Sequence, residues 1–184
     1  MRKIVGIYAS PRKDGNSSVI CDAVLDGAMG LSTNMIETFH LNKLNATRGC
    51  QNCGRCKDMG RCILMDDISP ILESIREADS LVVSIPVFFG HAAAQYRILE
   101  DRMYSFLDRD LIPNISSGKK VAIIVTYDGD DESAASLMND LSGFYRHLGF
   151  EIVGSILYCC YGRKDTAASD DEVLFLGRSV GHKL

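Results

Sequence analysis

No apolar run in this 184-residue chain approaches the length of a bilayer span, so no membrane partner is expected. It has no internal repeat, low-complexity tract or Pro/Ser-rich linker, which leaves one domain over residues 1–184. Positive charge is not in excess: 20 Lys and Arg against 24 Asp and Glu give a net charge of −4, no electrostatic footprint for nucleic acid. The two common nucleotide fingerprints are missing, both Gly-x-x-x-x-Gly-Lys-Ser/Thr and a Gly-x-Gly-x-x-Gly after the first strand. An ATP- or GTP-type phosphate loop is therefore not expected. The first residues, Met1-Arg-Lys-Ile-Val-Gly-Ile-Tyr8, are too few and too strand-like for a signal peptide, and the cysteine count, seven, is odd. Both observations argue against a disulfide framework and for a reducing, cytoplasmic location.

What the chain does have is four cysteines within thirteen residues: Cys50, Cys53, Cys56 and Cys62. Gaps of two, two and five residues let three thiolates wrap one face of a small cube while the fourth returns to close it, the requirement of a [4Fe-4S] cluster. Two alternatives stay open. A structural zinc site also takes four thiolates, although zinc modules set two Cys-x-x-Cys pairs on knuckles divided by a longer spacer. A Cys-x-x-Cys thiol-redox pair would use two of the four and leave Cys56 and Cys62 without a role. Arg48, Arg55, Lys57 and Arg61 interleave with the cysteines and offer charge to offset the thiolates. Cys21, Cys159 and Cys160 read as buried packing residues.

The remaining chain, with 46 % hydrophobic and 24 % charged residues, has ordinary globular composition. Short apolar runs at 4–8, 35–39, 80–85, 120–126 and 151–158 read as strands buried by their surroundings. Helical patterns fall between and after them, at about 16–28, 68–77, 92–107, 132–148 and 170–180. Ser69 and Pro70 mark the start of the second helix, Gly149 the end of the fourth, and Asp170 or Ser169 the cap of the last. Alternation at this spacing implies right-handed crossovers and an α/β, three-layer, doubly wound, five-stranded parallel sheet. The common order 2-1-3-4-5 opens a ligand crevice above the carboxyl ends of the first and third strands.

The loops at that crevice carry chemistry. After the first strand, Ala9-Ser-Pro-Arg-Lys-Asp-Gly-Asn-Ser-Ser18 combines helix N-terminal amides, the hydroxyls of Ser10, Ser17 and Ser18, and the charge of Arg12, a set of donors for a terminal monophosphate. Asn16 shapes the turn, and Asn16 or Ser17 acting only as a helix cap is the simpler alternative. After the third strand, Pro86 is expected to stop the strand. Val87, Phe88, Phe89 and Gly90 then offer apolar surface and close backbone approach to a flat isoalloxazine ring, with one of the two phenylalanines expected in the core. Thr126, Asp128 and Gly129 add polar groups after the fourth strand. No catalytic acid or base stands out; His91 is a candidate by position alone.

Taken together these motifs resemble the flavodoxin-like NAD(P)H-dependent FMN reductases, and within them the iron–sulfur flavoproteins. Ser10-Pro-Arg-x-x-Gly-Asn-Ser17 looks like their FMN phosphate loop, Pro86-Val-Phe-Phe-Gly90 like their flavin loop and Asp101-Arg102 like the pair closing the following helix. The cysteine run followed by Asp66-Asp67 is similar to theirs as well. Phe88 stands where tyrosine is common and Arg97 where many relatives carry lysine. The resemblance implies bound FMN, a homodimer or homotetramer, and electron transfer between FMN and the cluster. It also implies an electron donor such as NAD(P)H or a ferredoxin and a small-molecule or protein acceptor. A reductase without a cluster and a non-catalytic electron carrier are the competing readings.

Overall fold

The structure is a computed structural model that describes residues 2–30 and 33–184. Among the described residues six strands, β1 (Lys3–Tyr8), β2 (Met35–His40), β3 (Ser80–Phe88), β4 (His91–Ala92), β5 (Lys120–Tyr127) and β6 (Glu151–Cys159), form the sheet. The helices are α1 (Asn16–Met29), α2 (Cys56–Met59), α3 (Ser69–Glu77), α4 (Ala94–Arg102), α5 (Asp131–His147) and α6 (Asp171–Gly181). The five long strands are parallel in the order β2-β1-β3-β5-β6, and β4 is a short antiparallel addition to β3. Without that two-residue ribbon, the order is the 2-1-3-4-5 expected from the sequence.

The apolar runs are continuous because each central strand is covered on both faces. Val5, Ile7, Val83, Ile85, Ile123 and Val125 point into one core, shared with α3, α4 and α5. Their neighbours Ile4, Val82, Ala122 and Ile124 point into the other, shared with α1 and α6. Helices α1 and α6 approach closely because glycines face each other: a Cβ at Gly27 would stand 2.2 Å from the Arg178 carbonyl oxygen, and one at Gly181 2.0 Å from that of Val24.

Three local expectations change. Pro86 does not stop β3, which runs on to Phe88 and pairs Pro86 with Thr126. Ser84 accepts from the Ala9 amide on the β1 side, and by strand alternation Pro86 faces that side where β1 has ended. Its missing N–H leaves no partner unbonded, and its carbonyl accepts from the Ala93 amide at 3.2 Å. Helix α4 begins at Ala94 and passes at Arg102 into a 3₁₀ turn, Met103–Phe106, instead of running from 92 to 107 as one helix. Helix α3 begins at Ser69, but that residue is no cap; its hydroxyl bonds to the Leu64 carbonyl and to Asp66. The cap of α6 is Asp170, which accepts from the Val173 amide at 3.1 Å.

Candidate functional site

The β1–α1 loop delivers its donors by being short. The first turn of α1 leaves amides without intrahelical partners, and Ser10, Asn16, Ser17 and Ser18 are all buried around it. Ser10 Oγ accepts from the Arg12 amide at 3.1 Å, and Ser18 Oγ donates to the Arg12 carbonyl at 3.4 Å. Arg12 itself is exposed. A Cβ on Gly15 would stand 3.6 Å from Ser10 Oγ and 3.8 Å from Arg12 Nε, so hydroxyl and guanidinium flank the glycine at the helix start.

Neither Asn16 nor Ser17 caps α1; Gly15 occupies that position. Asn16 reaches across the molecule instead: its Nδ2 donates to the Arg163 carbonyl at 2.9 Å, and its Oδ1 accepts from the Ala167 amide at 3.0 Å. The segment after β6 is therefore part of this rim, which sequence reasoning missed. There Tyr161 and Gly162, with φ of 46° and 73°, form a tight turn closed by Arg163 N–H to the Cys160 carbonyl at 2.9 Å. Cys159 and Cys160 lie at this rim and are only part-buried, unlike Cys21, whose thiol burial pushes up to about 12.

The β3–β4 hairpin forms the second wall. Phe89 and Gly90 have φ of 51° and 77°, as in a two-residue type I′ turn. Neither phenylalanine enters the core: Phe88 is 47 % and Phe89 100 % exposed. The hairpin's register, Phe88 with His91 and Val87 with Ala92, fixes both rings at the tip. A Cβ on Gly90 would meet Ser133 Oγ at 3.3 Å, so the first turn of α5, which follows the β5–α5 loop, abuts the hairpin. Near the end of β5 Thr126 is buried, and in the loop that follows Gly129 has φ of 78° and Asp130 caps α5 through the Ser133 amide at 3.1 Å. Asp128 is exposed and faces the turn at Gly162. Tyr127 donates to Asp131 at 2.7 Å.

The cysteine loop lies between β2 and α3, also at the carboxyl end of the sheet. Cys50, Cys53, Cys56 and Cys62 line one small cavity together with Arg102 and Tyr104. Cys56 is buried, which raises its thiol's proton affinity; neighbouring Lys57 opposes the rise, and Cys62, Cys50 and Cys53 each add to it. The other three thiols thus all act on Cys56. Among the described residues no three His, Cys, Asp or Glu side chains converge on a single metal ion.

Bonds within the loop and to the elements beside it hold it. Asp67 accepts the amides of Asn45 and Ala46 at 2.8 and 2.9 Å; Asp66 accepts those of Arg48 and Ile68 at 3.0 and 3.2 Å. Burial works against ionisation of Asp66, but the Arg102 guanidinium and those amides hold its carboxyl below the usual carboxylate range. Lys57 Nζ donates to the Tyr104 and Leu107 carbonyls at 2.8 and 2.7 Å and lies 3.4 Å from the Tyr104 ring centroid. Arg76 binds the Gly60 carbonyl at 2.8 Å. Arg48, Arg55 and Arg61, expected to offset the thiolates, are exposed; the cation that touches a cysteine sulfur is Arg102, from α4.

A groove of about 1280 Å³ between α4 and α5 joins the two regions at one end. Cys50 and Asn52 border it from the cysteine loop, and Phe88, Gly90 and His91 from the hairpin. His91 is exposed there.

A family model described as NADPH-dependent FMN reductase matches residues 2–160. The chain belongs to the NADPH-dependent FMN reductase family. Among curated relatives, an iron-sulfur flavoprotein of Methanocaldococcus jannaschii is 35 % identical over 102 residues, 54 % of this chain and 51 % of that one. An iron-sulfur flavoprotein of Methanosarcina thermophila is 30 % identical over 138 residues, 75 % and 71 % of the two chains. The matches thus span about half of the first relative and seven-tenths of the second. Among solved structures, an NAD(P)H:quinone oxidoreductase from Methanothermobacter marburgensis superposes with a TM-score of 0.73 at 14 % identity, covering 99 % of this chain and 96 % of that one. At that identity the likeness establishes the shared flavodoxin-like fold of the reductase family and no more.

Proposed function

We propose that this reductase-family chain is an FMN-dependent oxidoreductase with a [4Fe-4S] cluster bound by Cys50, Cys53, Cys56 and Cys62. The observation that carries the reading is the single cavity lined by all four thiols, opening beside the hairpin rim on the same groove. A cubane takes one thiolate per iron, so four sulfurs around a cavity fit its donor set. The names of the curated relatives support the same assignment.

Flavin, when bound, converts between two-electron and one-electron transfer, and the cluster accepts or gives single electrons. The chain's own residues bind and orient. Ser10, Arg12, Ser17, Ser18 and the α1 amides hold the phosphate, while Asn16 fixes their loop to the segment after β6. Pro86, Val87, Phe88, Phe89 and Gly90 flank the ring, with Thr126, Asp128 and Gly129 at its polar edge. Hydride transfer to a flavin needs stacking and orientation, so no side chain is assigned as acid or base. The donor is NAD(P)H or a ferredoxin-type protein, the acceptor a small molecule or protein, and the assembly a homodimer or homotetramer.

Anaerobic purification followed by iron, acid-labile sulfide and FMN assays tests the proposal. Near-stoichiometric FMN with four iron and four sulfide per chain is the expected result. Stoichiometric zinc with neither iron nor sulfide would overturn the cluster and leave a cluster-free reductase. Flavin bleaching by NADH, NADPH or reduced ferredoxin, followed by turnover with an acceptor, separates an enzyme from a carrier.

A further inference from the structure

Arg102 is the last residue of α4, and its side chain has no exposed surface. A guanidinium inside a protein needs partners for its donors. Nη1 donates to the Asp66 carboxylate at 2.8 Å and to the Arg48 carbonyl at 2.9 Å, and Nη2 to the Leu64 carbonyl at 3.4 Å. Those three bonds clamp both ends of the cysteine segment. The fourth goes to sulfur: Nε donates to Cys62 Sγ at 3.2 Å. Among the described residues, no other sulfur of the cysteine loop accepts a side-chain hydrogen bond.

We propose that Arg102 is a positioning residue that sets the reduction potential of the cluster through Cys62, and that Asp66 moderates it by offsetting part of the guanidinium charge. The inference rests on the reading that the cysteine loop holds [4Fe-4S]. Reduction adds one electron, supplied by reduced FMN or a ferredoxin-type donor, transfers no proton and leaves one further negative charge on the thiolate-bound cluster. A fixed cation with its N–H aimed at a ligating sulfur stabilises the reduced form more than the oxidised one, and burial of the guanidinium keeps its charge from being screened by solvent. Asp66, bonded to the same guanidinium, acts in the opposite sense. The pair therefore predicts opposite shifts from its two members, which a clamp that only holds the loop in place does not.

The test is an equilibrium redox titration, followed by electron paramagnetic resonance, of the whole protein with FMN bound. Wild type is compared with Arg102→Gln, Arg102→Lys and Asp66→Asn, each assayed for iron and sulfide. Arg102→Gln should move the reduction equilibrium at least tenfold toward the oxidised cluster, about 59 mV for one electron. Arg102→Lys keeps the charge without the fork of donors and should fall between it and wild type. Asp66→Asn should move the equilibrium toward the reduced cluster, and the FMN potential should stay in place throughout. Fully loaded variants with wild-type potential, or a pair shifting in the same direction, overturn the proposal. If Arg102→Gln fails to take up iron, Asp66→Asn decides: an unchanged or lowered potential there overturns it. A wild type that binds no iron and sulfide refutes the cluster itself, and this inference with it, whereas a loaded wild type with unresponsive variants refutes only the inference.

Discussion

The β1–α1 loop and the cysteine loop lie at the same end of the sheet, but they are held by opposite means. The first is short and inherits its shape from the strand and helix it joins. Its fastenings are neutral, with Ser10 and Ser18 on Arg12 backbone atoms and Asn16 on Arg163 and Ala167. Its two cations, Arg12 and Lys13, are both exposed. The second is long, contains only short helical turns, and is fixed by charge: Arg102, Arg76, Asp66 and Asp67 bond its backbone, and Lys57 reaches out of it to the Tyr104 and Leu107 carbonyls. Regular elements shape a short loop without help. A long one needs side chains to satisfy its backbone groups, and a buried ion that does so leaves its partner uncompensated when it is removed.

Removing a buried ion tests that contrast most severely. Arg102→Ala leaves the Asp66 carboxylate and three loop groups without their partner, and the expected loss is about 3–5 kcal/mol in denaturant unfolding. A loss below about 1 kcal/mol, the range of exposed pairs, would show that the loop is held by something else. The same pair gives a pH signature. Because the folded protein holds the Asp66 carboxyl below its ordinary range, its stabilisation is fully present above the unfolded value, about 3.9. It disappears as pH falls through the lower, folded value. Urea unfolding of wild type and Asp66→Asn should therefore differ at pH 7 and converge as the pH falls through the lowered, folded-state titration of Asp66.

The neutral fastening should show a smaller effect. Asn16→Ala strands the buried Ala167 amide and the Arg163 carbonyl, for an expected loss of about 1–3 kcal/mol. Exposed Asn42, which donates to the Pro11 carbonyl from the other side of the loop, is the control; Asn42→Ala should change stability by less than about 0.5 kcal/mol. Equal losses from the two would mean that the contact with the segment after β6 is incidental.

The two loops were also unequally legible in the sequence. Strands such as β1, β3 and β5 are readable because burial on both faces leaves unbroken apolar runs. The donors around Gly15 are readable because their chemistry lies within nine residues. Asn16 looked like a cap because its true partners are 147 and 151 residues away, a distance that no local pattern encodes. Phe89 at positive φ was not foreseeable, since a bulky residue seldom takes the first position of a type I′ turn. Arg102 is the clearest case. At the end of a helix an arginine normally complements the dipole from the surface, so the sequence pattern points instead to Arg48, Arg55, Lys57 and Arg61 inside the motif. Only the packing of α4 against the cysteine loop sends that one cation inward.

The smallest effect on stability should accompany a clear effect on binding. Arg12 is exposed and its side chain has no hydrogen-bond partner among the described residues, so Arg12→Ala should leave unfolding within about 0.5 kcal/mol of wild type. If its guanidinium meets the phosphate over Gly15, the same change should weaken FMN about tenfold in titrations of the apoprotein, or about 1.4 kcal/mol. Added salt should narrow the difference, because an exposed charge is screened. Unchanged FMN affinity would remove Arg12 from the phosphate site and leave the work to the α1 amides and serine hydroxyls. A large loss of stability would break the contrast itself, since it would mean that the β1–α1 loop, like the cysteine loop, depends on charge for its shape.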